Sequence, residues 1–150
     1  AVYLMSARTL QRSKILLVPS RDVREVFWKD EAFARAIVSE LANCYRDLVR
    51  DHKNIKLRTA VERLANRLLS LDRAQGGRGR LDLPYDKKTL ASLLGMTPEN
   101  LSRAFNTLAP YGVEVDGSTI RLTDLKSLET LARPEPLIDQ GGTWNGSGFL

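Results

Sequence analysis

Apolar residues recur at helical spacing over long stretches of this chain, which predicts a mostly helical protein. A short helix is predicted at residues 22–27, and a much longer one at 30–55, which contains no glycine or proline. From Val61, apolar side chains recur at i, i+3, i+4, i+7 and i+8, which predicts an amphipathic helix over 58–72. Residues 14–19 differ, because a short apolar run ending in proline is typical of a buried strand.

The long helical segment carries two apolar stripes. One stripe has alternating spacings of four and three residues, the pattern of a coiled-coil seam, and comprises Leu41, Tyr45, Leu48, His52 and Ile55. A second stripe beside it includes Ile37 and Cys44. One helix packed within a monomer would give this pattern too, but roughly 26 helical residues extend about 39 Å. Little else in the chain could cover that length, so we favour the seam of a homodimer.

Two residues of these stripes could carry chemistry. His52 could be a metal ligand or a pH sensor, but on a seam we interpret it as a partly exposed packing position. Cys44 is interpreted in the same way, as a buried packing residue and not as a reactive thiol.

Two short helices are predicted close together between residues 84 and 109. Asp86 is a candidate N-cap of the first helix, and Gly95 follows its last apolar residue, where the left-handed conformation ends a helix. Thr97 is a candidate N-cap of the second helix, and Pro98 occupies the first helical position, where no N–H is needed. The inward face of the second helix comprises Leu101, Ala104, Phe105 and Leu108. Two helices joined by so short a turn form a helix-turn-helix.

The opposite face of the second helix carries side chains that can read DNA bases. It comprises Glu99, Asn100, Ser102, Arg103 and Asn106. Arginine can donate two hydrogen bonds to guanine, glutamate can accept one from the cytosine amino group, and serine suits a neighbouring thymine. A solvated surface could have the same composition. The helix-turn-helix in front of this face favours base reading, because the first turns of such a helix enter the major groove.

A β-hairpin is predicted directly downstream. Apolar and polar residues alternate through 113–122 around Asp116-Gly117, a strong hairpin signal. A hairpin in this position is a wing whose tip approaches DNA phosphates. Together with the start of the first short helix, it supplies the candidate phosphate contacts, which are Lys87, Lys88, Thr89, Thr97, Ser118, Thr119 and Arg121.

The remaining segments are predicted to be connectors. Residues 75–80 are rich in glycine and arginine, which predicts a flexible basic loop. A nucleotide-binding loop would need a strand before it, whereas a helix precedes this one. Residues 134–150 contain prolines and glycines and are predicted to form a flexible tail without chemistry.

Composition limits the classes of function. The hydrophobic fraction of 43% is that of a globular protein, and no apolar run is long enough to cross a membrane, so we expect a soluble protein. The single cysteine fits a reducing cytoplasm. With one cysteine, one histidine and no evident pair of carboxylates, the sequence predicts neither a metal site nor an enzyme. The net charge is +5, yet residues 82–133 hold 6 Lys/Arg against 7 Asp/Glu, so bulk charge does not locate the DNA-reading unit.

The chain resembles the Crp/Fnr family of bacterial transcription regulators over about residues 6–132. The most specific match is residues 88–105, KTLASLLGMTPENLSRAF, followed by a hairpin. Upstream, ILLVP at 15–19, FARA at 33–36 and ERLANRLL at 62–69 resemble the last sensor strands, the dimerisation helix and the helix after the hinge. The implied fold is mostly α (α+β): a β-roll remnant at 1–29, a dimerisation helix at 30–57, a winged helix-turn-helix at 58–133 and a tail at 134–150.

The resemblance also implies a function. Family members read bases with Glu-x-x-(Gly or Ser)-Arg, which matches Glu99, Ser102 and Arg103. The serine resembles the fumarate–nitrate reduction branch, and Pro98 stands where the cyclic-AMP branch has arginine, so a palindrome of TTGAT-like half-sites is implied. The implied partners are double-stranded DNA, a second copy of the chain and RNA polymerase. Most of the effector-binding β-roll would lie upstream, so no cofactor is expected in this chain. The alternative is a helical protein-interaction module that does not read DNA.

Overall fold

The computed structural model describes residues 6, 7, 9 and 12–139. Residues 1–5 and 140–150, which include most of the predicted tail, lie outside the described residues. The chain divides into two compact units, Ala1–Leu41 and Ala42–Leu150.

The first unit contains helix α1, Ser20–Lys29, and the start of helix α2, Glu31–Leu57. α1 extends the predicted helix at 22–27 in both directions. The strand predicted at residues 14–19 is wrong: these residues have no regular secondary structure, and their four consecutive apolar side chains are 57–86% exposed. A strand must exchange hydrogen bonds with a neighbour, and no described residue pairs with this segment.

α2 confirms the long helix predicted at 30–55 to within two residues at each end. None of its side chains is buried. The prediction of a buried Cys44 is therefore wrong, since this residue is exposed. No helix within residues 12–139 has the length and apolarity needed to cross a membrane.

The core of the second unit is built around helix α3, Ala60–Ala74. Thr59 and Glu62 form a capping box at its start, each side chain accepting a hydrogen bond from the other's backbone N–H. α3 packs against helix α5, Pro98–Leu108, and helix α6, Leu125–Ala132. Its buried hydrophobic side chains are Leu64, Ala65, Leu68, Leu69 and Leu71. The helix predicted at 58–72 is confirmed.

A three-stranded antiparallel sheet lies in the same unit. Its strands are β1, Arg80–Asp82, β2, Val113–Asp116, and β3, Thr119–Leu122, in the order β1-β3-β2. β2 and β3 are the predicted hairpin. β1 was not predicted, because three residues are too few to show an alternating pattern.

The loop before β1 is fixed by contacts, contrary to the prediction of a flexible connector. Gly79 donates its N–H to Asp72 Oδ1 at 2.9 Å. A Cβ at Gly79 would lie 2.8 Å from the carbonyl oxygen of Leu122, so only glycine allows β3 to approach this closely.

Three further elements complete the second unit. Helix α4, Lys87–Leu93, precedes α5, a 3₁₀ turn at Ala109–Tyr111 follows it, and helix α7, Pro136–Asp139, ends the described chain. α7 lies within the predicted flexible tail.

Candidate nucleic-acid interface

The helix-turn-helix is formed by α4 and α5, with the caps that the sequence predicts. Asp86 Oδ1 accepts a hydrogen bond from the N–H of Thr89 at 2.7 Å, and this bond lowers the pKa of the Asp86 carboxyl. Gly95 has a φ of +60° and ends the first helix. Thr97 Oγ1 then accepts from the N–H of Asn100 at 3.3 Å and starts the second.

The predicted inward face of α5 is confirmed. Its four residues, Leu101, Ala104, Phe105 and Leu108, are at most 8% exposed. Because they are held against α3 and α4, the orientation of α5 is fixed by the core, and the polar face of the helix is turned outward.

The predicted base-reading residues lie together on that outward surface. Glu99, Ser102, Arg103 and Asn106 are exposed, whereas Asn100 is half-buried. The Arg103 guanidinium donates from Nη2 to Asn100 Oδ1. Four side chains are thus open to solvent, and the fifth contacts one of them.

Glu99 is held in its charged form. Its own backbone N–H, then the Thr97 hydroxyl and the charge of Arg103, lower the pKa of its carboxyl. A charged carboxylate only accepts hydrogen bonds and is unfavourable beside phosphates, so on this face it suits a cytosine amino group.

The first turn of α4 carries the exposed cations Lys87 and Lys88. Lys87 Nζ lies 6.0 Å from the centre of the Phe105 ring. It borders an open cleft of about 290 Å³ between α5 and β2, which Ser102 and Val115 also line. Lys87 therefore lies beside the outward face of α5.

The wing differs from the sequence expectation in its electrostatics. Thr119 donates its hydroxyl hydrogen to Asp82 Oδ1 at 2.6 Å, and in the sheet register it pairs with Asp82 on β1 and with Asp116 on β2. Two carboxylates therefore flank Thr119, which disfavours a phosphate contact there. Ser118 is exposed at the tip, and Arg121 lies between Arg80 and Glu114. The sequence did not point to Asp82 as a neighbour of Thr119, because it did not predict β1.

Arg63 connects the end of α2 to the turn of the helix-turn-helix. Its Nε donates to the carbonyl of Leu94 at 2.9 Å, and its Nη1 donates to the carbonyl of Arg58 at 2.8 Å. Nearby, Ile55 Cδ1 lies 3.5 Å from the position of a Cβ on Gly95. Sequence reasoning missed Arg63, because a single arginine on an amphipathic helix has no distinguishing pattern.

A second arginine joins the segment between α2 and α3 to the end of the described chain. Arg58 Nη1 and Nη2 donate to Asp139 Oδ1 and Oδ2 at 2.7 and 2.5 Å. The two side chains are only 6% and 16% exposed. No residue pattern pointed to this ion pair, since its partners are 81 residues apart.

The predicted dimer seam lies along α2 with its apolar side chains exposed. Leu41, Tyr45, Leu48 and Ile55 are 53–68% exposed, and His52 is exposed as well. A row of exposed large hydrophobic side chains on one helix marks a surface that suits a partner.

Residues 62–131 match the family model of the Crp-like helix-turn-helix domain. The nitrogen fixation regulation protein FixK of Rhizobium meliloti (strain 1021) is 36% identical over 78 residues, which are 52% of this chain and 34% of that protein. FixK2 from Bradyrhizobium japonicum is 28% identical with a TM-score of 0.62, over 76% of this chain and 59% of that chain. A CooA double mutant from Carboxydothermus hydrogenoformans has the same fold, with 24% identity and a TM-score of 0.61 over 75% of this chain and 55% of that one.

The chain thus spans about a third of FixK and less than two thirds of FixK2. The matched residues include α4, α5 and the wing. With its mostly helical fold, small antiparallel sheet and winged helix-turn-helix, the chain is similar to the Crp/Fnr transcription regulators, and its residues 62–131 form a Crp-like helix-turn-helix domain.

Proposed function

We propose that this chain binds a palindromic DNA site as a homodimer and regulates transcription, with α5 reading the bases in the major groove. The observation that carries the proposal is the exposed group of Glu99, Ser102 and Arg103 on a helix whose inner face is locked into the core. On a helix-turn-helix, this is the part of the molecule that meets base edges.

The base-reading residues also support a particular half-site. A Glu-x-x-Ser-Arg pattern resembles the fumarate–nitrate reduction branch, and FixK is one relative of this chain. We therefore propose TTGAT-like half-sites about one helical turn apart. Lys87, Lys88, Thr89, Thr97, Ser118 and Arg121 are the proposed phosphate contacts. An effector domain in the whole protein, RNA polymerase as a partner and a cytoplasmic location complete the proposal.

A DNA duplex with two TTGAT half-sites arranged as a palindrome is called the paired TTGAT site. Arg103→Ala is expected to weaken binding to this site by on the order of 1–3 kcal/mol and to abolish the preference at one base pair. The reason is that a guanidinium can donate two hydrogen bonds to one guanine, which alanine cannot replace. Mobility-shift titrations on the paired site, on each single-pair variant and on scrambled DNA measure both effects. Equal weakening on specific and scrambled DNA would show that Arg103 contacts phosphate only.

The same titrations, repeated over a salt series, separate this function from a protein-interaction module. DNA binding releases counterions, so the logarithm of the affinity should fall linearly with the logarithm of the salt concentration. Absence of any shift at low salt, on the paired site and on a randomised duplex pool, would refute the proposed function.

Leu48→Asp is expected to raise the dissociation constant of the dimer by about tenfold or more. The substitution removes apolar burial worth about 1.5–3 kcal/mol per side chain and brings two like charges near the two-fold axis. Sedimentation equilibrium measures the change. Leu57→Asp is the matched control, because Leu57 is 71% exposed on the same helix but lies off the seam. An unchanged dimer in Leu48→Asp, or equal weakening by both variants, would contradict the seam.

A further inference from the structure

Asn100 differs from the other polar residues at the start of α5. Its backbone N–H is bound by Thr97 Oγ1, and its side chain is half-buried, whereas Glu99, Ser102 and Arg103 are exposed. The backbone of Asn100 is therefore fixed by the helix cap, and the residue is less exposed than the three candidate base readers beside it.

The Asn100 amide oxygen accepts a hydrogen bond from Nη2 of Arg103, one turn further along the helix. An exposed arginine samples many rotamers, and fixing it on DNA costs conformational entropy. A guanidinium that donates one N–H to Asn100 keeps enough N–H groups for a two-bond fork onto guanine. The contact thus removes freedom from Arg103 before DNA binds and leaves its recognition edge available.

We infer that Asn100 is a specificity-determining positioning residue: it holds the Arg103 guanidinium for guanine recognition and does not itself read a base. This inference rests on the proposed function, and it revises the sequence-based assignment of Asn100 to the base readers. Binding energy is gained by preorganisation, since the ordering of Arg103 has already taken place in the free protein.

The test is a double-mutant cycle in the full chain, with single-pair variants of the paired TTGAT duplex as probes. Asn100→Ala is expected to reduce discrimination about threefold to tenfold, at the same base pair as Arg103→Ala, since one preorganising hydrogen bond is lost. In the Arg103→Ala background, Asn100→Ala should have no further effect on discrimination. Asn100→Asp should retain the preference at that base pair, because a carboxylate oxygen also accepts from Arg103, while binding to every duplex weakens through added repulsion from phosphates.

Thr107→Ala is the matched control. Thr107 lies on the same helix and donates its hydroxyl hydrogen to the backbone carbonyl of Arg103, so this hydrogen bond does not involve the guanidinium. Its replacement should leave base preference unchanged. The inference is overturned if Asn100→Ala changes preference at a different base pair, has an additional effect in the Arg103→Ala background, or has none at all. A failure of the proposed function looks different, because the unmodified chain would then not discriminate between duplexes.

Discussion

Gly112→Ala is expected to lower the free energy of unfolding by about 2–4 kcal/mol, the largest effect of any substitution considered. Gly112 has a φ of +80°, a left-handed conformation that costs alanine about 1 kcal/mol. A Cβ there would also lie 2.5 Å from the backbone nitrogen of Asp124 and 2.9 Å from Thr123 Oγ1. Because the nearest atom belongs to the backbone, the chain must shift, and overpacking of this kind costs a further 1–3 kcal/mol or so.

The position matters because Gly112 joins the end of α5 to the wing. Its carbonyl accepts from the N–H of Thr123 at 2.8 Å, and Asp124 caps α6 by accepting from Ser127. A shift at Gly112 therefore disturbs the wing and α6 together. Urea unfolding followed by circular dichroism measures the loss.

Gly117→Ala is the control for this substitution. Gly117 has a φ of +61°, but a Cβ there would meet nothing within 4 Å. Only the conformational cost remains, so we expect a loss of about 1 kcal/mol. Equal losses in the two variants would show that the close approach of Asp124 to Gly112 contributes nothing.

Asp139→Ala is expected to lower the free energy of unfolding by about 2–3 kcal/mol. Arg58 donates two hydrogen bonds to Asp139, and both side chains are largely buried, so removing the carboxylate leaves a buried charge without its partner. Such a loss commonly reaches about 3–5 kcal/mol. We expect less here, because α7 lies near the end of the described chain and can separate from Arg58, which lets water reach the guanidinium.

The control is Glu31→Ala, which breaks the exposed pair between Glu31 and Arg35. These side chains are 81% and 74% exposed, and such a pair contributes about 0.3–0.5 kcal/mol. A loss for Asp139→Ala no greater than that for Glu31→Ala would show that the Arg58 contact does not stabilise the fold.

The pH dependence provides a second measurement of the same contact. Burial raises the pKa of Asp139, but the hydrogen bonds from Arg58 and from the N–H of Glu135 outweigh it, so the pKa lies below its ordinary value of 3.8. Because this pKa is lowered, the charged Asp139 carboxylate contributes fully to the free energy of unfolding above pH 3.8. The contribution is lost as the pH falls through the pKa of Asp139 in the folded state. The difference in stability between the unmodified chain and Asp139→Asn should therefore shrink below about pH 4.

Sequence reasoning was most successful where the signals are local. The caps at Asp86 and Thr97, the turn at Gly95 and the hairpin around Gly117 all depend on backbone groups within a few residues. These interactions are encoded by residue type and spacing alone, so the helix-turn-helix and its wing could be predicted with their boundaries.

Prediction from the sequence failed where the conformation or burial of a residue depends on contacts with residues far away in the chain. The apolar run at residues 14–19 has the composition of a strand but no described partner, and Cys44 lies on an apolar stripe yet is exposed. The reverse holds for β1. Its three residues have no strand pattern of their own, and they form a strand because they pair with β3.

The sequence by itself determined the helix-turn-helix and its wing, because short-range capping and amphipathic spacing are properties of neighbouring residues. Only the tertiary structure decided that Asp82 flanks Thr119, that Arg58 meets Asp139 and that Arg63 reaches the carbonyl of Leu94. These pairs join residues 31 to 81 positions apart. Their formation depends on how packing of the core brings whole elements together, and a one-dimensional pattern does not record that.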